Sequence, residues 1–127
     1  MNHRTANVLV QKNEQPLYLV IARSDTGQLA LPGGRIDPGE TALQAAVREL
    51  LEETAIRMID AIFVSQMVTE KVAITTYSAS RGSGIMRGSP EGEPRWVEEA
   101  DLVGRDARWP DYNREILRLV RERDSLR

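Results

Sequence analysis

Residues 34–56 read Gly34-Arg-Ile-Asp-Pro-Gly-Glu-Thr-Ala-Leu-Gln-Ala-Ala-Val-Arg-Glu-Leu-Leu-Glu-Glu-Thr-Ala-Ile56, a turn-rich loop running into a helix. The loop, Pro32 to Gly39, holds three Gly and two Pro, which stop regular structure and let backbone come close to a ligand. Thr41 with Gln44 three positions later fits a capping box, and Leu43, Ala46, Val47, Leu50 and Thr54 recur at helical spacing. A helix from about Thr41 to Thr54 is predicted. At roughly 100° per residue, Glu49, Glu52 and Glu53 fall within about 100° of arc, bordering the apolar stripe.

Such like-charge pairs each disfavour a helix by roughly 0.2–0.5 kcal/mol, so something must compensate. A hard dication, Mg²⁺ or Mn²⁺, would do so, since it takes carboxylate oxygens and leaves positions for substrate phosphates. The competing reading of the three glutamates alone is a solvated helix face.

Outward from this segment, 127 residues fit one domain spanning 1–127, and 41% apolar residues suffice for a core. The longest apolar run, Leu17 to Ala22, is too short to span a bilayer, and Met1 to Thr5 lacks a leader's apolar stretch, so no membrane partner and a cytoplasmic address are expected. With no Cys, disulfides, thiol nucleophiles and Cys-ligated zinc are excluded. The only His, His3, is expected in a frayed terminus, which leaves no base for Ser-His chemistry. Net charge is −2, so no extended nucleic-acid surface is evident and phosphate binding must come from local groups.

Ala6–Val10 and Leu17–Arg23 read as strands about a turn, followed by a short strand at Leu29–Leu31. Ala61–Thr69 and Val72–Ser80 look like a pair joined near Glu70-Lys71. Arg81 to Pro94 is rich in Gly, Ser and Pro and is expected to be a long mobile loop, with Arg95-Trp96-Val97 a last short strand. Tyr112, Ile116, Leu119 and Val120 mark an amphipathic terminal helix from Pro110. Strands on both sides of a helix, with another helix at the end, predict an α/β fold with a mixed β-sheet covered on both faces.

The fixed positions Gly34, Glu40, Arg48, Glu49, Glu52 and Glu53, with apolar Leu50 and Ile56, resemble the signature box of the Nudix hydrolases. That box is a Gly, five residues, a Glu, seven residues, then Arg-Glu-apolar-any-Glu-Glu-any-Gly-apolar. Eight of its nine specified positions agree, and Ala55 stands where the family has Gly. Average composition makes the matched set a chance event at on the order of one start position in 10⁸. Ala55 sits where a left-handed backbone is common, at a cost to Ala of about 1 kcal/mol.

The resemblance implies an α/β/α sandwich and a Mg²⁺-dependent hydrolase of a nucleoside diphosphate linked to X. It carries the metal-ligand role to Glu49, Glu52, Glu53 and the Gly34 carbonyl, with Glu53 the foremost catalytic candidate. Arg48 matches the residue that holds the carboxylates in place, and Glu40 the acid that supports the junction of loop and helix.

Members resembling MutT further imply a phosphate-binding Arg at the end of the second strand, here Arg23. They also imply an additional metal-binding or base carboxylate before Trp96, either Glu91 or Glu93. Trp109-Pro110-Asp111-Tyr112-Asn113 is similar to their aromatic-Pro segment ending in a base-reading Asn, and Asn113 can donate and accept at once. Exposed-residue readings compete for Arg23, Glu91 and Glu93; helix capping competes for Asp111 and Asn113; packing competes with stacking for Trp96 and Trp109.

No Pro occurs from Leu51 to Ser89, where ADP-ribose pyrophosphatases carry one, and Tyr77 lies farther from the box than the Tyr of diadenosine polyphosphate hydrolases. A nucleoside triphosphate giving monophosphate and pyrophosphate is therefore the expected substrate, with an oxidised guanine nucleotide one candidate. Alternatives are dinucleoside polyphosphates, nucleotide sugars or RNA 5′ ends, or a non-catalytic nucleotide-binding module. A monomer or homodimer is expected.

Overall fold

The computed structural model describes residues 3–126. Met1 and Asn2, part of the stretch read above for a leader, lie outside the described residues. His3 opens β1 (His3–Gln11), where its N–H donates to the Lys71 carbonyl at 2.9 Å. The expectation of a frayed terminus at His3 is thereby corrected.

β1 is the hub of the sheet. It runs parallel to β6 (Val72–Arg81) from His3↔Val72 to Gln11↔Ser80 and meets β2 (Tyr18–Arg23) at Gln11↔Tyr18. β2 pairs antiparallel with β3 (Leu29–Ala30), and β5 (Met58–Val68) pairs antiparallel with β6 on the far side, giving the order β3-β2-β1-β6-β5. The sheet is mixed, as predicted.

Alternation along the central strands decides what covers it. Val8, Val10 and Leu19 turn to one face with Leu50 and Ile56, the latter two belonging to or following α1 (Ala42–Thr54). Leu9 and Val20 turn to the other face with Ile116 and Leu117 of α3 (Pro110–Ser125) and Leu102 of α2 (Glu99–Leu102), a short helix the periodicity did not reveal. These are the layers of an α/β/α sandwich.

Two segments differ from expectation for identifiable reasons. Within the Gly/Pro loop, β4 (Gly33–Arg35) pairs antiparallel with β1 at Thr5↔Arg35, Ala6↔Gly34 and Asn7↔Gly33. Gly33 permits this approach, because a Cβ there would lie 2.3 Å from the Ala6 carbonyl oxygen. The last strand, β7 (Gly92–Val97), begins earlier than the predicted Arg95 and pairs with β2 from Arg23↔Gly92 to Tyr18↔Val97. Among the described strands β7 pairs with β2 alone, and an edge strand is where Pro94 is tolerated. Before β7 the chain is tied to the end of α1 and the start of β5, with Arg87 N–H on the Thr54 carbonyl at 3.0 Å and Arg57 N–H on the Ser83 carbonyl at 2.9 Å.

α1 starts as read. Thr41 accepts from the Gln44 amide and the Gln44 side chain accepts from the Thr41 amide. Its buried residues are Ala45, Ala46, Leu50, Glu53 and Thr54, whereas Leu43 and Val47 are exposed. The small side chains of Ala45 and Ala46 pack against Ala6, which rolls the helix so that Glu53 joins the buried stripe.

The helix ends at Ala55 in the left-handed conformation, φ 63°, as anticipated from the departure at that position. Ala55→Gly removes the steric cost of a Cβ there and is expected to stabilise the fold by about 1 kcal/mol, read as a higher urea midpoint with unchanged slope.

Candidate active site

The roll of α1 separates the three helix glutamates that look equivalent in sequence. Glu53 is only 6% exposed, Glu49 is half-buried, and Glu52 is exposed. Glu53 accepts a hydrogen bond from the Gly33 N–H at 2.9 Å, so β4 meets its carboxylate directly. Gly34 lies against Glu49: a Cβ there would sit 2.5 Å from the Glu49 carboxyl carbon, and only a residue without one leaves that carboxylate its place.

Glu91 reaches the same spot from the segment before β7. The Ser24 N–H donates to the Glu91 carbonyl at 3.0 Å and the Ser24 hydroxyl to the Pro90 carbonyl at 2.8 Å, fixing that backbone to the end of β2. One oxygen from each of Glu49, Glu53 and Glu91 lies within 4.8 Å of the others. Glu52 instead pairs with Arg48 at 3.3 Å, and Glu93 lies against Gly88; both are outside this group. Of the two carboxylates expected before Trp96, Glu91 is therefore the one brought in.

Arg48 organises the junction between loop and helix. Its guanidinium holds Glu40 through Nε at 2.7 Å and Nη2 at 2.9 Å, Glu49 at 2.9 Å, and the Arg35 carbonyl at 3.0 Å, with Asp37 3.4 Å away. Glu40 also accepts from the Asp37 N–H at 2.8 Å. Arg48 and the Asp37 N–H hold the Glu40 carboxyl below the usual range.

Burial, the neighbouring Glu91 carboxylate and Glu49 push Glu53 up to about 9, with the Gly33 N–H acting in the opposite direction. Burial likewise raises Glu49, against the pull of Arg48. Three oxygen donors this close, two of them with raised proton affinity, fit a hard cation by donor chemistry.

The trio opens on a cleft of about 530 Å³ whose wall also includes Arg23, Asp25, Arg108, Trp109 and Asn113. That size lies within the range of about 300–1,000 Å³ common for small-molecule sites. Arg23 stands where predicted, yet its fork is engaged by Asp25 at 2.9 and 2.7 Å. Asn113 is 4% exposed and spends both amide hydrogens on the Leu102 and Arg108 carbonyls, at 2.8 and 3.1 Å. The reading in which Asn113 donates and accepts at once is corrected, since only its oxygen remains for a ligand. Neither Asp111 nor Asn113 caps α3, whose N-cap is Trp109 without a side-chain cap bond. Trp96 packs on the core, whereas Trp109 is 47% exposed on the cleft.

Asp25 and Arg108 were not singled out from the sequence. Asp25 had a faint signal, a carboxylate two residues after a strand-end Arg. Arg108 had none, because its position depends on how the chain before α3 meets β3, with Arg108 N–H on the Leu29 carbonyl at 2.8 Å.

Glu53 has a clear linkage consequence. In the metal-free protein it keeps its proton to about 9 when folded but releases it near 4.5 when unfolded, so the unfolded state binds fewer protons across that window. Stability is expected to fall as pH rises through the window. Urea titrations should show wild type losing stability there and Glu53→Gln losing markedly less; parallel profiles would contradict this account.

The NUDIX domain family model matches residues 1–120. A Bacillus subtilis (strain 168) protein named "Putative 8-oxo-dGTP diphosphatase" is 57% identical over 42 residues, which cover 33% of this chain and 28% of that protein. The "Uncharacterized Nudix hydrolase NudL" of Escherichia coli (strain K12) is 35% identical over 94 residues, 68% of this chain and 48% of that protein. The chain thus spans less than half the length of either curated relative. Among solved structures, MutT from a study of Aliivibrio salmonicida and Vibrio cholerae superposes with TM-score 0.79 at 22% identity, covering 96% of this chain and 99% of that one. A MutT Nudix hydrolase from Burkholderia pseudomallei gives TM-score 0.77 at 22% identity, covering 94% and 98%. With the family matched along nearly its whole length and the fold shared with MutT structures, the chain belongs to the Nudix hydrolase family.

Proposed function

We propose that this chain, as one domain over residues 1–127, hydrolyses a nucleoside diphosphate linked to X, foremost a nucleoside triphosphate to monophosphate and pyrophosphate. The observation that carries this is the convergence of Glu49, Glu53 and Glu91 within 4.8 Å beside Gly34, in a cleft large enough for a nucleotide. The name of the Bacillus subtilis relative supports an oxidised guanine nucleotide as the first substrate to try.

Glu49, Glu53 and Glu91, with the Gly34 carbonyl, would hold Mg²⁺, or Mn²⁺ in its place. That cation would neutralise charge developing on the phosphates and make a water more acidic.

The chain's own groups do the rest. Gly33 fixes one oxygen of Glu53, and Arg48 fixes Glu49 while anchoring Glu40, so the carboxylates enter the reaction already oriented. Glu91, the exposed member of the trio, takes the proton of the attacking water, a task the sequence left among Glu53, Glu91 and Glu93. Glu52 acts through its pair with Arg48. Arg23, braced by Asp25, faces the phosphates, and the Asn113 oxygen faces the base. We place the protein in the cytoplasm, as a monomer or homodimer.

A screen of nucleoside triphosphates, oxidised nucleotides, ADP-ribose and dinucleotides with added Mg²⁺ tests the substrate class. Glu53→Gln is expected to lower kcat for the substrate so found by on the order of 10²–10³. Activity equal to wild type would refute the role given to Glu53.

A further inference from the structure

Three arginines line the cleft: Arg23 is committed, whereas Arg35, exposed, and Arg108, half-buried, make no side-chain hydrogen bond or ion pair among the described residues, and of these two Arg108 is the one held over an aromatic ring. Arg23 places both arms of its fork on Asp25. Arg48, behind the trio, is filled by Glu40, Glu49 and the Arg35 carbonyl. Arg108 lines the cleft, is half-buried, and among the described residues its guanidinium makes no hydrogen bond or ion pair. It lies over Trp109, whose ring centre is 4.5 Å from the guanidinium carbon.

Stacking over an indole holds the guanidinium plane without consuming its N–H groups, which stay free for acceptors at its edge. Trp109 itself is held by the fold: it is the N-cap of α3 in a left-handed conformation, φ 56°, and Pro110 follows it at the first helical position. The backbone of Arg108 is fixed on both sides, its N–H on the Leu29 carbonyl at 2.8 Å and its carbonyl on the Asn113 amide at 3.1 Å.

We infer that Arg108 is a substrate-binding residue for the polyphosphate of the nucleotide, adding a guanidinium with all its donors uncommitted to Arg23, which spends two of its five N–H groups on Asp25. This rests on the reading of the cleft as a nucleotide site. An anion is favoured over a neutral base edge by the local charge. Arg108 and Arg23 share one cleft, and burial together with the Arg23 charge lowers the Arg108 pKa against the weaker pull of Asp25. A phosphate between the two guanidinia relieves that repulsion, and a neutral carbonyl does not. Phosphate also suits the planar fork, which takes two oxygens at once.

The test compares wild type, Arg108→Met, Arg108→Lys and, as a control, Arg105→Met, an exposed site outside the cleft wall. Calorimetry with inorganic tripolyphosphate in the presence of Mg²⁺ should show Arg108→Met binding at least about tenfold more weakly, a loss of one good charged contact. Arg108→Lys should recover part of the loss, and Arg105→Met should match wild type. For a hydrolysed triphosphate, KM should rise by a similar factor with kcat nearly unchanged. Guanosine, which has no phosphate, should bind wild type and Arg108→Met alike.

Unchanged tripolyphosphate affinity in Arg108→Met overturns the inference, as does no tripolyphosphate binding by wild type. An equal loss for guanosine overturns it too, placing Arg108 on the nucleoside. If no nucleotide is hydrolysed but tripolyphosphate binding depends on Arg108, the proposed function fails and this assignment stands.

Discussion

Three carboxylates, one buried, one half-buried and one exposed, meet at one end of the cleft, and most of the local architecture follows from that. Buried beside Glu91, Glu53 holds a proton far above the ordinary range, and Glu49 is raised for the same reason. Each carboxylate of this crowded arrangement is tied to something: Glu53 to the Gly33 amide, Glu49 to Arg48, and the backbone at Glu91 to Ser24. A dication held there, as proposed, would relieve that crowding, so its affinity and the cost of bringing the carboxylates together would have one origin.

The two adjacent glycines do different jobs in this scheme. Gly33 has no Cβ to strike the Ala6 carbonyl, which lets β4 lie on β1 and point an N–H at Glu53. Gly34 has no Cβ to displace Glu49. A short strand thus forms inside a segment whose composition says loop, and the site needs that strand. Arg48 ties the following turn to α1 through Glu40 and the Arg35 carbonyl, so loop and helix are set as one piece.

Across the cleft the logic reverses, from crowded anions to cations that differ in commitment. Asp25 neutralises Arg23, while Arg108 keeps its donors free by stacking on Trp109. Asn113, buried at the first turn of α3, ties Leu102 of α2 and Arg108 to that turn. Its amide hydrogens therefore position the wall, and only its oxygen is left to read a ligand.

The sequence by itself determined the helix of the box, its Thr41–Gln44 cap and the left-handed exit at Ala55, and its segments pointed to a mixed sheet between helices; a carboxylate site with Arg48 as its brace was only what the resemblance of the box implies. The helix, its cap and its exit are local: caps, periodicity and side-chain spacing on one helix act within a few residues and can be read in order along the chain. Tertiary structure alone decided which glutamates matter to one another. Packing of Ala45 and Ala46 on Ala6 turned Glu53 inward and left Glu52 outside; pairing of β7 with β2 delivered Glu91 and excluded Glu93; and the approach to α3 set Arg108 in the same cleft. Each of these depends on contacts between segments tens of residues apart, and no local spacing encodes the distance between side chains that meet only when sheet and helices close.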